Sequence, residues 1–309
     1  GGVISTNLGL NTNSGIFSVQ YEPNRGSLWY SGTNGIPATN GARAGMEFRP
    51  DRKSFRMGQV TTDTLWESTN TLPFTVAFGS NNSPGGRFSV ILGGYNNAIH
   101  TNGENNVVGG GINHTVSTNA TNCVIGGGEN NFIALDCAQS VIGGGASHII
   151  RSAASYCIIG GGFANRTHDT YQTVAGGLNN IAADNFGGTP INSDAAFIGG
   201  GEENNSIGLR TVISGGYKNI MLGGCDYSVM SGGSSNGLGL AGSGVNFTVI
   251  AGGSQNAVQN DATGSAISGG FLNFIGPGAL FGIIPGGFSN SIGTSVTKAG
   301  AYGFQLTNN

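Results

Sequence analysis

The chain has 309 residues, of which 59 are Gly and only 9% are charged, and its net charge is −3. That balance offers no basic face for nucleic acid and no basic amphipathic stretch for a membrane surface; no apolar run reaches the length of a membrane span. Collagen is excluded because there is no Gly-X-Y period, and simple disorder because β-branched residues recur in regular columns.

Residues 1–72 hold six of the twelve Lys and Arg and both Trp. Short runs such as Gly15–Tyr21 and Ser27–Tyr30 lie between Asn, Gly and Pro turns and predict a small β-rich connector. The stretch Arg43 to Arg56 mixes both charge signs, which favours ion pairs at a joint between protomers over a basic binding patch. A degenerate lead-in coil follows at Val76–Asn82.

Between residues 73 and 293 one phrase returns twelve times: two apolar residues, a small residue, Gly-Gly, two free positions, then Asn or His. Val124-Ile125-Gly126-Gly127-Gly128-Glu129-Asn130-Asn131 is one copy. With the first Gly of each pair as position 0, the pairs begin at Gly93, Gly110, Gly127, Gly144, Gly161, Gly176, Gly200, Gly215, Gly232, Gly252, Gly269 and Gly286. Seven of the eleven spacings are 17 residues and the others are 15, 24, 15 and 20. Position +4 reads Asn97, His114, Asn131, His148, Asn165, Asn180, Asn204, Asn219, Asn236, Asn256, Asn273 and Asn290.

A period this short suits one coil of a β-solenoid, with two short strands and two turns, stacked on the next at about 4.8 Å. The expected fold is all-β: a parallel β-solenoid, or β-roll, of about twelve Gly-Gly/Asn coils. Positions −3 and −2 are nearly all apolar, as in Val141-Ile142 and Ile158-Ile159. Neighbouring strand residues face opposite ways, so both faces are expected to be buried. One coil covers only one of them, and a symmetric homo-oligomer, a homotrimer here, is the simplest cover for the other. Position +6 supplies the second inner wall. The Gly pair suits a turn closed to other residues, and the small residue before it suggests that another backbone passes close by. The Asn/His column has two structural readings: a hydrogen-bonded ladder along the axis, or tolerance of a left-handed turn.

Ala183 to Asp194 and Gly237 to Asn246 are lengthened connections, and inserted loops on solenoids often bind. In the first, Asn185, Phe186 and Asp194 set an aromatic ring beside polar groups, as sugars favour. The last coils add Phe271, Phe274, Phe281, Phe288, Tyr302 and Phe304. Phe271 and Phe288 are further receptor-binding candidates, with end-cap packing as the alternative. Residues 294–309 leave the phrase as a cap or a continuation.

No catalytic, cofactor or metal site emerges. His114 and His148 share a column two coils apart, too far for a shared metal. Glu202, Glu203 and Asp194 make at most a weak carboxylate cluster for glycoside hydrolysis. Cys123 and Cys157 share position −4 two coils apart, beyond direct bridging, so Cys123, Cys137, Cys157 and Cys225 read as free thiols. Ice binding would need Thr ladders on an exposed strand, and position −4 offers Ser89, Asn106, Cys123 and Ser140 instead.

The Val-Ile-Gly and Asn-x-Ile phrase resembles the head repeats of trimeric autotransporter adhesins, the YadA-like family, and of trimeric phage tail fibres. The lead-in Arg43 to Gly58, then Thr64-Leu65-Trp66 and Phe78-Gly79-Ser80-Asn81-Asn82, looks like a module that precedes such repeats. The coil here is longer than the family's and has a Gly pair where the family has one Gly. The resemblance covers roughly residues 42–293. It implies a left-handed roll of three chains about one axis, outside the cell on a virion tail fibre or a bacterial surface. Its partner would be a cell-surface glycan or protein receptor, with neither nucleic acid nor membrane insertion involved. The alternative is a purely structural shaft whose binding tip lies elsewhere.

Overall fold

The computed structural model describes residues 52–61, 73–182, 195–239, 244–301, 303 and 307–308, together with the backbone of five strands between 11 and 49. Among these residues every regular element is a strand, and the repeats form a parallel β-solenoid of about twelve coils. The chain divides into two compact bodies, residues 1–139 and 140–309.

In the first body, Ser18–Tyr21, Leu28–Ser31, Arg43–Arg49 and Ser54–Val60 pair antiparallel in chain order. Glu47 stands opposite Arg56 in this register, and the Arg56 side chain is buried. Ser54–Val60 then pairs in parallel with the lead-in strand Val76–Ser80, which pairs with Val90–Ile91 of the first regular coil. A meander thus becomes a solenoid across one strand pair. Three coils follow, at Gly93, Gly110 and Gly127. The second body carries nine, from Gly144 to Gly286.

Each strand is only two residues long. One set occupies positions −3 and −2, as in Val141–Ile142, and the other +5 and +6, as in Ile149–Ile150. Each pairs residue for residue with the equivalent strand of the next coil, for example Ile158↔Thr173 and Ile220↔Gly237. Position +2 adds a third row of single bridges, such as Phe163↔Leu178 and Phe271↔Phe288.

The coil has an internal near-repeat that the phrase does not announce. Position +3 is left-handed in all twelve copies, with φ between 52° and 59°, and so is position −5, with φ between 53° and 72°. After each comes a buried polar or small residue, then one residue facing out and one facing in. The left-handed residue turns its N–H back toward the preceding coil: Asn113 N donates to Tyr95 O at 3.0 Å and Tyr227 N to Leu209 O at 2.9 Å. The residue before it donates forward, as Ile112 N does to Gly128 O at 3.0 Å. Both sides of each corner therefore meet their backbone hydrogen-bonding requirement.

The inward columns are fully buried: Ile142, Ile159, Ile213 and Ile250 at −2, and Ile150, Met221, Val258 and Ile275 at +6. Small residues at −7, including Ala154, Cys225, Ala262 and Ala279, fill the remaining corner. The column at −3 is the one that a single coil leaves uncovered: it faces away from the coil interior, and within the chain Ile158 is 46% and Ile283 47% exposed. The close backbone expected beside position −1 is the next coil of the same chain: a Cβ on Gly160 would lie 2.3 Å from Ala175 O.

Candidate functional site: the buried ladder and the uncovered faces

Every +4 side chain is buried. In residues 1–139, Asn97 N donates to Asn82 Oδ1 at 2.8 Å, His114 N to Asn97 Oδ1 at 2.9 Å, and Asn131 N to His114 Nδ1 at 3.2 Å. In residues 140–309 the chain of bonds runs His148, Asn165, Asn180, Asn204, Asn219, Asn236, Asn256, Asn273, Asn290. For example, Asn165 N donates to His148 Nδ1 at 3.1 Å and Asn219 N to Asn204 Oδ1 at 3.1 Å. The Asn amides also donate to Gly carbonyls, in most copies to two: Asn204 Nδ2 reaches Gly200 O at 3.0 Å and Gly216 O at 2.9 Å. The column is thus a ladder, and the left-handed residue is its neighbour at +3. Of the two structural readings of the column, the turn belongs to a position where Asn130, Ala164, Lys218 and Leu272 all occur.

The ladder crosses irregular spacings unchanged. Asn180 and Asn204 are 24 residues apart, and Asn204 N still donates to Asn180 Oδ1 at 3.0 Å. The register of the ladder is therefore independent of the number of residues between its rungs.

His114 and His148 act as Asn isosteres. Nδ1 accepts where Oδ1 would, and Nε2 occupies the place of the amide nitrogen, toward the Gly carbonyls. Burial pulls both imidazoles below their usual pKa of 6.5, since the cationic form would lose its water.

Position −4 is the ladder's counterpart in the other half-coil. Cys123 N donates to Asn106 Oδ1 at 2.8 Å, and Asn106 Nδ2 to Ala120 O at 2.7 Å. Ser140, Ser228 and Ser265 bridge in the same way through their hydroxyls. These residues are buried, so no exposed ladder of the kind ice binding needs stands at −4. All four Cys are buried, and burial lifts the Cys225 thiol to about 11, which leaves it inert.

Candidates for recognition scatter. Asn185, Phe186 and Asp194 lie outside the described residues, as do Tyr302 and Phe304. Phe271 and Phe288 occupy +2 in successive coils, with ring centroids 5.6 Å apart. Phe274 faces out at +5, and Phe281 leans over Gly264. Of the acid pair, Glu203 is held by Lys218 at 3.4 Å, while Glu202 faces solvent at +2.

One outer row has no counterpart in the sequence reading. The left-handed position −5 carries Phe88, Tyr156, Tyr171, Tyr227, Phe247 and Phe281. Tyr156 stacks on Tyr171 at 4.9 Å and Tyr227 on Phe247 at 5.2 Å, with Arg210 over Tyr227 at 5.2 Å. Bulky residues are rare at positive φ; stacking at the coil spacing gives them contacts that offset the strain. The signal in the sequence is an aromatic five residues before the Gly pair.

No family model matches the chain, and no curated protein matches it. Among the described residues, no helix is long and apolar enough to cross a membrane, and no group of three His, Cys, Asp or Glu is placed to hold a metal.

Proposed function

We propose that the chain is a segment of a trimeric fibrous attachment protein, displayed on a virion tail fibre or a bacterial surface, that binds a cell-surface glycan or protein. The observation that carries this reading is the outward column at −3. It is apolar in nearly every coil and uncovered within one chain, so a set of identical chains sharing that face gives it an interior. The reading assigns the coils a load-bearing, non-enzymatic role and places recognition on what interrupts them.

Multi-angle light scattering tests the assembly, with the mass of three chains expected at low micromolar concentration. A stable folded monomer there sinks the trimer. Replacing residues 183–194 by a short Gly linker tests recognition. The variant should keep the parent's mass and lose binding to host cells. Undiminished binding moves the site to the end that carries Phe271 and Phe288.

The alternative of a purely structural shaft draws support from the same regularity. At ten of the twelve copies of +4 the side chain is the same amide, absorbed in a buried ladder. A chain that binds no cell surface under any condition, yet assembles as a trimer, favours the shaft.

A further inference from the structure

We infer that the first Gly of each pair, flanked by the column at −3 and the small residues at −1, forms the seam along which a second copy of this chain packs. This rests on the oligomeric reading above and names the face that it uses.

The two glycines of the pair have different causes. The second has φ between 84° and 100° in every copy. Wherever a Cβ on it is placed, it would lie 2.0–2.4 Å from the carbonyl oxygen of the next coil or of Gly303. The coil itself requires that Gly. The first does not follow from the chain. A Cβ added to Gly93, Gly127, Gly144 or Gly161 would meet nothing within 4 Å. At those positions and at Gly176 φ lies outside the left-handed region, so the backbone is open to other residues. At seven other copies φ lies between 147° and 159°, which favours Gly on its own account. The first five have neither reason, and they are Gly nonetheless. A position kept free of a side chain where its own molecule leaves room points to a backbone from outside.

Charge identifies that outside body. Across all twelve coils, positions −3, −1 and 0 hold no charged residue. The other outward columns admit charge: Glu129 and Glu202 at +2, Arg166 at +5. Around a rotation axis each residue lies near its own copies, so a charge there would face like charge. A different partner would impose no such rule and could use opposite charges. Length argues the same way. A partner that follows nine successive coils in residues 140–309 must share their rise, and an identical chain does.

The test uses the whole chain and two kinds of variant. Gly144→Thr with Gly161→Thr should keep the strand signal in circular dichroism and weaken assembly at least tenfold, read by light scattering across a dilution series. Wild type running as a single chain would overturn the oligomeric reading and the seam with it. Wild type and variant assembling alike would overturn the seam alone. A second measurement does not depend on how the Thr variant folds. Ile158 and Phe163 belong to one coil and are 46% and 52% exposed in the single chain. In the assembly, Ile158→Cys should react with a maleimide at least tenfold more slowly than Phe163→Cys. Equal rates would give the face to solvent or to another partner and overturn the proposal.

Discussion

The ladder residues illustrate how a buried polar group stabilises a fold when each of its atoms is matched. Asn204 Oδ1 accepts from Asn219 N at 3.1 Å, while Nδ2 donates to Gly200 O and Gly216 O. Asn204→Ala leaves those partners buried without a bond, and an unmet buried donor costs about 1–3 kcal/mol. The expected loss is about 3 kcal/mol, read as a lower denaturant midpoint with an unchanged slope. His114 and His148 add a pH dependence. Their folded pKa values lie below 6.5, so the unfolded chain takes up protons first as the pH falls. The stability from the neutral rings is complete above pH 6.5 and is lost as the pH drops below it toward the folded pKa values. The main cause is burial, which disfavours the cation; the geometry agrees, since a proton on Nδ1 of His148 would face the N–H of Asn165. The thermal midpoint should therefore fall between pH 7 and 5, and His114→Asn with His148→Asn should remove much of that fall. An equal fall in the double variant would locate the effect elsewhere.

At the scale of the coil, what was legible from the sequence was whatever repeats in nearly every copy. The phrase predicted parallel coils, the paired apolar columns at −3 and −2, the inner wall at +6 and the Asn/His column, because burial and stacking impose similar residue types on successive turns. The second half of the coil was harder to read. Positions −4 and −5 obey geometry rather than chemistry: any small hydrogen-bonding side chain fits the first, and the second admits Asn, Ala, Arg, Tyr or Phe in one left-handed conformation. The recognition candidates at Asn185, Phe186 and Asp194 fall in an interruption, where no periodicity constrains the chain. A frame test follows from the two-residue strands. Deleting Val212–Ser228, the 17 residues of one spacing, rejoins equivalent positions and should leave a folded, slightly less stable protein. Deleting one residue fewer shifts the inward and outward faces beyond the cut and should give aggregation. Equal solubility of the two deletions would contradict the register.

For the whole molecule, sparse charge and many outward apolar residues have one expected consequence: single chains should be insoluble when assembly is blocked. Ile159→Asp places a charge in the fully buried −2 column, and Ile158→Asp places one on the outer −3 column. The first should abolish folding, as an unpaired buried charge does. The second should leave the coil intact and release single chains that aggregate. Circular dichroism and light scattering on the pair separate coil formation from assembly, and identical behaviour would show that the two columns share one role.

The bonds between coils also determine how such a molecule yields to force. Donors and acceptors run along the stack, from Asn180 to Asn204 to Asn219 and onward, and each coil touches mainly the next. Tension applied at the chain ends loads these contacts one coil at a time. Peeling one coil frees 17 residues; at about 3.4 Å each, less the coil's own rise of about 5 Å, the gain in length is about 50 Å. Extension in an optical trap should proceed as a staircase of nearly equal steps. The spacings of 24 and 20 residues should appear as two longer treads.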